Sequence, residues 1–195
     1  MTVSINSICV YCSSSAHIDL KYKEPVHQFG QLLAKHNIKI VFGGGRVGLM
    51  GVVSDACMEA GGEVLGITTE YLDQYEIGSK NITKLIVVDS MEKRQEKMFD
   101  ACDALVVLPG GFGTLAEFFD VLTRKQIGLH AKPIVIANFY GFWDPLKDLI
   151  HHIVKTAFAS DTDETLCMFV DCMEDILPTL KKMPLIKVDP TEKWF

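Results

Sequence analysis

The chain has 195 residues, of which 48% are hydrophobic and 23% charged, and a formal net charge of −6. That balance excludes intrinsic disorder and leaves enough chain to bury one substantial core. The negative charge disfavours a nucleic-acid backbone or an anionic membrane as partner, but not an anionic small molecule held by backbone amides.

In chain order, Ile5 to Tyr11 reads as a first strand and Asp19 to His36 as an amphipathic helix. Ile38 to Phe42 is a second strand that runs into Gly43-Gly44-Gly45, and Gly48 to Ala60 is a helix closed by Gly61-Gly62. Glu63 to Ile67 and, after a polar connection, Leu85 to Val88 are the next strands. Met91 to Cys102 has helical periodicity, with Met91, Met98 and Phe99 as candidates for the inner face. Ala104 to Leu108 is almost wholly apolar, as expected of a central parallel strand covered on both faces. A glycine loop follows, then a helix from about Thr114 to Ile127 and a strand over Ile134 to Ala137. A helix from Phe142 to Phe158 has Pro145 in its first turn, and Leu166 to Val170 and Asp171 to Leu180 close the chain as strand and helix. Strands separated by helices of this length predict right-handed crossovers. The expected fold is one Rossmann-like domain over residues 1–195, a doubly wound parallel sheet in three α/β/α layers.

No basic-then-apolar leader opens the chain, and no apolar run approaches the ~18 residues of a membrane span. A soluble, cytoplasmic protein is the expectation. The six cysteines then read as reduced thiols. Cys9 and Cys12 form a C-x-x-C, but Cys9 sits inside an apolar strand whereas a redox pair normally opens a helix. They read as small buried residues, and no Cys/His cluster with metal-ligand spacing accompanies them. No cofactor and no metal are expected.

Two glycine loops fall at the carboxyl ends of strands, where ligands sit in such sheets. Gly43, Gly45 and Gly48 make a G-x-G-x-x-G between strand and helix. It follows the second strand, and no acidic residue ends a following strand ~20 residues on, so a dinucleotide reading is poorly supported. A phosphate contact and a merely tight turn both remain open for it. The missing Gly-Lys-Ser/Thr ending excludes a P-loop.

The second loop, Pro109-Gly110-Gly111-Phe112-Gly113-Thr114, says more. Its glycines allow a tight turn with exposed amides, and Thr114 offers a helix cap and a hydroxyl. Glu117 completes a Thr-x-x-Glu capping box, which by itself would explain it. Yet a helical turn is about 5.4 Å, so a phosphate on the loop would leave this carboxylate within reach of the attached sugar. On the preceding helix, Glu92 with Glu96 and Lys93 with Lys97 are like-charged i,i+4 pairs that lend it no support, and Arg94 is placed to project over the same site.

Three motifs taken together, Gly43-Gly44-Gly45-x-x-Gly48-Leu49-Met50-Gly51, Met91-x-x-Arg94-x-x-x-Met98 and Pro109-Gly110-Gly111-x-Gly113-Thr114-x-x-Glu117, resemble the LOG (lonely guy) family. Its members are cytokinin riboside 5′-monophosphate phosphoribohydrolases, long labelled lysine decarboxylases. The resemblance runs from about residue 5 to 180 and extends to Val10-Tyr11-Cys12, Thr123, Gln126, Gly128, His130 and Lys132-Pro133. It implies hydrolysis of a nucleoside 5′-monophosphate, cytokinin riboside monophosphate or AMP, to free base and ribose 5-phosphate. It also implies a Rossmann-like homodimer whose site draws on both subunits. By motif match, Arg94 and Glu117 take the catalytic positions. Glu76, Gly43 to Gly45, Arg94, Gln95, Gly110, Gly111, Phe112, Gly113, Thr114 and Thr123 fall at substrate-binding ones.

The chain departs from the family where Glu92 and Gln95 stand for histidine and lysine, Ser13 for glycine, Thr68 for proline, and Arg124-Lys125 for Trp-Ala. The loss of a cation at Gln95 is what a nucleotide-binding or carrier protein without turnover would show, and that is the competing expectation. A pyridoxal-phosphate decarboxylase fits less well, because no lysine stands out as a Schiff-base former.

Overall fold

The computed structural model describes residues 4–75 and 81–185. The elements alternate along the chain: β1 (Ser7–Tyr11), α1 (Lys23–Lys35), β2 (Lys39–Phe42), α2 (Gly48–Glu59), β3 (Val64–Thr69), α3 (Glu70–Tyr75) and β4 (Lys84–Val88). Then come α4 (Met91–Asp100), β5 (Ala104–Val107), α5 (Phe112–Gln126), β6 (Ile134–Ala137), α6 (Asp144–Lys155), β7 (Met168–Val170) and α7 (Ile176–Lys182). The strands form one parallel sheet in the order β4-β3-β2-β1-β5-β6-β7. The first half of the chain winds to one side of β1 and the second half to the other, so the strand order switches between β1 and β5. That is where two neighbouring loops part and leave a crevice.

The strand period of two sorts the core into two layers. Ile8 and Val10 of β1 join Val106 of β5 and Val135 of β6 against α1, α2 and α7. Cys9, Tyr11, Val107 and Ile136 face the other way, onto Met98, Phe118 and Ile150 of α4, α5 and α6. Both faces are covered, which is why β5 and β6 are apolar at every position. The doubly wound sheet is therefore as the alternation of elements predicts.

The differences lie at element ends. The first helix begins as a 3-10 turn, Leu20–Tyr22, and becomes α-helical at Lys23. Pro25 lacks the N–H and crowds the carbonyl four residues back, so it belongs in a first turn. The sixth helix starts at Asp144 rather than Phe142, with Pro145 in that first turn as expected. The last helix starts only at Ile176, after a 3-10 turn over Met173–Asp175. The connection after β3 holds an unforeseen helix of six residues, α3. On α4, Met98 is buried and Phe99 half-buried, while Met91 lies at the open first turn and is 43% exposed. Lys93 finds an opposite charge outside its helix, in Asp89 at 2.6 Å. No described helix is long and apolar enough to cross a membrane.

Candidate active site

The cleft at the switch point has a volume of about 470 Å³. Its walls come from the segment after β1 (Ser13, Ser14, Ser15), from Gly43 after β2, from Met91, Arg94 and Gln95 on α4, and from Gly111 to Thr114 and Glu117 on α5.

Arg94 and Glu117 meet in its floor. Arg94 Nη1 donates to Glu117 Oε1 at 2.9 Å, and the two side chains are only 8% and 11% exposed. The guanidinium is fixed on its remaining sides by main chain. Its Nε donates to the carbonyl of Ile67 at 3.0 Å and its Nη2 to that of Gly43 at 3.5 Å. The two carbonyls, one from within β3 and one from the residue after β2, make a socket for a cation. Ser90 caps the helix that delivers Arg94, its hydroxyl accepting from the Lys93 amide at 3.2 Å. Gly43 is glycine for the same reason: a Cβ there would collide with the Arg94 guanidinium.

The capping explanation for Glu117 fails on geometry. The helix α5 begins at Phe112 with Gly111 as its cap, three residues earlier than a cap at Thr114 would set it. Glu117 therefore lies in the second turn, beyond reach of the cap amide, and its carboxylate turns to Arg94 instead. Thr114 is an inside position of the first turn, buried at 4% exposure.

The two glycine loops differ in what covers the following helix. At α2 the Ser13 carbonyl accepts from the amides of Leu49 and Met50, at 2.9 and 3.3 Å, so those first-turn donors are already satisfied. Gly48 packs directly on the Ser13–Ser15 main chain. Close packing explains this loop, and the tight-turn alternative is the better one. At α5 no side chain caps the helix. A Cβ on Gly110 would run into the Thr114 side chain, but one on Gly111 or Gly113 would meet no atom of the described residues within 4 Å. Neither residue has the positive φ that favours glycine. Among the described residues, packing and backbone conformation leave both glycines unexplained, and the space beside them is open to a ligand.

Of the residues singled out in the sequence, Gly43, Arg94, Gln95, Gly111, Phe112, Gly113, Thr114 and Glu117 line one cleft. Gly110 lines the adjoining pocket beside Tyr22 and Phe142. Gly44, at φ +79°, packs on Thr68 and Leu85, and Gly45 is buried. Thr123 lies in a groove between α5 and α6 with Phe119 and Phe158, not in the cleft. Glu76 falls outside the described residues. Sequence reasoning missed the serines at 13 to 15 and Leu72 of α3 as lining residues. A run of three hydroxyls directly after the first strand was a readable signal, since that edge faces the ligand.

Below the cleft, burial pushes the Cys9 thiol and the Tyr11 hydroxyl well above their ordinary values. Burial, with the Glu117 charge added, does the same to Cys12. Thiols held in this state are packing groups and not nucleophiles. All six cysteines are free, and among the described residues no group of three His, Cys, Asp or Glu side chains could hold a metal ion.

The chain is similar to known proteins in sequence and in fold. A family model described as possible lysine decarboxylase matches residues 50–180. The cytokinin riboside 5′-monophosphate phosphoribohydrolase LOG2 of Arabidopsis thaliana is 37% identical over 175 residues, covering 90% of this chain and 82% of that one. The cytokinin riboside 5′-monophosphate phosphoribohydrolase LOG of Oryza sativa subsp. japonica is 36% identical over 154 residues, 79% of this chain and 64% of its own. Among solved structures, the molybdenum cofactor carrier protein of Chlamydomonas reinhardtii superposes with a TM-score of 0.69 at 19% identity, over 91% of this chain and 96% of that one. At that identity the likeness is one of fold. Through the family match and the relatives over most of its length, the chain belongs to the LOG family of phosphoribohydrolases.

Proposed function

We propose that this chain hydrolyses the N-glycosidic bond of a nucleoside 5′-monophosphate, releasing the free base and ribose 5-phosphate. The observation that carries the reading is the buried Arg94–Glu117 pair, set one helical turn from a loop whose glycines leave room for a ligand. Thr114 and Glu117 are three residues apart, about 4.5 Å along the helix axis. A phosphate on the loop amides therefore puts the attached ribose beside the carboxylate.

The chemistry follows from charge. As the C1′–N bond breaks, its electron pair leaves with the base and positive charge grows on the ribose. The Glu117 carboxylate stabilises that charge and takes a proton from the water that adds at C1′; the proton ends on the departing base. Arg94, anchored to two main-chain carbonyls, fixes the carboxylate's position. The remote phosphate supplies binding energy for orientation.

The relatives' names support a cytokinin riboside monophosphate as substrate, and AMP shares the same ribose phosphate. In this reading the protein acts in the cytoplasm as a homodimer, without nucleic-acid or membrane partners. Thr123 stands away from its own chain's cleft, which fits a substrate site that draws on a second copy.

The test is a panel of nucleoside 5′-monophosphates and the matching nucleosides, scored for ribose 5-phosphate or ribose. Turnover of monophosphates alone is expected. Equal turnover of AMP and adenosine would refute the phosphate anchor. Tight nucleotide binding with no product across the panel would favour the carrier reading, which rests on the neutral side chain at Gln95.

A further inference from the structure

The charges of the cleft cancel internally. Among the described residues that line it, Arg94 and Glu117 are the only charged side chains, and they are paired with each other. Arg94 also donates to the carbonyls of Ile67 and Gly43. A guanidinium tied at three nitrogens and buried to 8% side-chain exposure cannot swing out to an anion without leaving that socket.

The next residue on α4, Gln95, is half-buried and reaches the same cleft with a neutral amide. The other α4 cations turn elsewhere: Lys93 pairs with Asp89 at 2.6 Å, and Lys97 is exposed and outside the lining. Apart from that pair, the polar groups that the described lining residues offer a ligand are neutral dipoles. These are the Ser13, Ser14, Ser15 and Thr114 hydroxyls, the Gln95 amide, and the first amides of α5.

We propose that the cleft binds the phosphate of its ligand through neutral donors alone, and that Gln95 sets this property by holding an amide where a cation would otherwise reach the anion. The inference rests on the reading of the ligand as a phosphate monoester. It makes Gln95 a specificity-determining residue: recognition depends on hydrogen-bond geometry at the phosphate rather than on attraction at a distance. Amide and hydroxyl groups accept as well as donate, so such a site can also accept from the O–H of a phosphate that still carries one proton, a bond that a lysine, having no acceptor, cannot make.

The experiment is calorimetric titration of ribose 5-phosphate and of inorganic phosphate into the full chain. It is run from low salt to about 1 M, where screening shortens the reach of a charge to about 3 Å. The wild type is expected to lose less than about twofold in affinity over that range. Gln95→Lys should bind about tenfold tighter at low salt, the scale of a new charge-assisted hydrogen bond, and lose that gain as salt rises. Gln95→Ala should weaken binding without adding salt dependence. A steep salt dependence in the wild type overturns the proposal, as does a Gln95→Lys variant, folded by circular dichroism, that binds no tighter. Should that variant fail to fold, the wild-type salt profile alone decides. Failure of the hydrolase reading is separable: if no monophosphate is cleaved but ribose 5-phosphate binds with a flat salt profile, the neutral site stands. If neither phosphate compound binds, the neutral site falls, whatever the turnover.

Discussion

Glu117→Gln separates chemistry from architecture, because it changes charge and little else. The carboxylate accepts from Arg94 Nη1 at 2.9 Å, and a glutamine oxygen can accept the same bond. Deleting one partner of a buried ion pair typically costs about 3–5 kcal/mol. The glutamine keeps the hydrogen bond and loses only its charge assistance, so the stability loss should be nearer 1–2 kcal/mol. Turnover should suffer more. Removing the group that stabilises the ribosyl cation and accepts the proton of water predicts a drop of about 10²–10³ in kcat, some 2.7–4 kcal/mol of barrier. Binding of the monophosphate should hold or tighten, since a negative charge facing the phosphate has gone. Release of ribose 5-phosphate gives kcat, calorimetry gives Kd, and thermal melting gives the structural loss. Glu117→Ala serves as the contrast: it should lose both turnover and several kcal/mol of stability. A glutamine variant within a few-fold of wild-type turnover, in a preparation where the wild type is active, would refute the catalytic assignment and leave Glu117 as a structural partner of Arg94.

Gly43→Ala should lower kcat by about tenfold or more without touching substrate, because its methyl displaces the guanidinium that orients Glu117; normal kinetics would show that Arg94 tolerates the shift. Gly111→Ala should leave the melting temperature unchanged, its Cβ meeting no protein atom, while raising KM for the monophosphate; an unchanged KM would place the phosphate elsewhere. Burial holds His130 below its ordinary value of 6.5, and both ring nitrogens are engaged, Nε2 with the Val121 carbonyl and Nδ1 with the Lys132 amide. The unfolded chain therefore takes up that proton first, so stability is intact above about pH 6.5 and falls as the pH drops below it; His130→Gln should flatten the melting temperature between pH 6.5 and 5. Lys125 is held to about 8 by burial, its ammonium donating to the Leu166 carbonyl at 2.8 Å. Its depressed value means a buried charge that destabilises the fold at pH 7 and is relieved as the pH rises from 8 toward 10.5, so any melting-temperature gain of Lys125→Met should shrink by pH 9.5.

The sheet was legible because a parallel strand covered on both faces has to be apolar at every position, and Ala104 to Val107 and Ile134 to Ala137 are. The paired helices were legible from their apolar period. What misled was local chemistry that the period does not carry. A proline at 25 moved the start of α1, and Glu70–Tyr75 formed a helix of six residues, too short for its period to stand out. The order of strands, with β5 beside β1, is a property of crossovers that single segments do not encode, yet it is what opens the cleft.

At the site, the residue types were readable and their partners were not. Thr-x-x-Glu satisfies a capping box on paper, and only the helix start at Phe112 shows that Glu117 is a turn too late to serve one. Arg94 could be assigned to phosphate or to carboxylate with equal ease. The choice is made by two main-chain carbonyls from distant strands, invisible in any local window. The same holds for the glycines. Gly43, Gly48 and Gly110 are pressed by protein atoms, whereas Gly111 and Gly113 are pressed by none among the described residues. Sequence motifs treat all five alike. The space around each glycine separates them: among the described residues, the loop before α5 holds glycines that neither packing nor a positive φ explains.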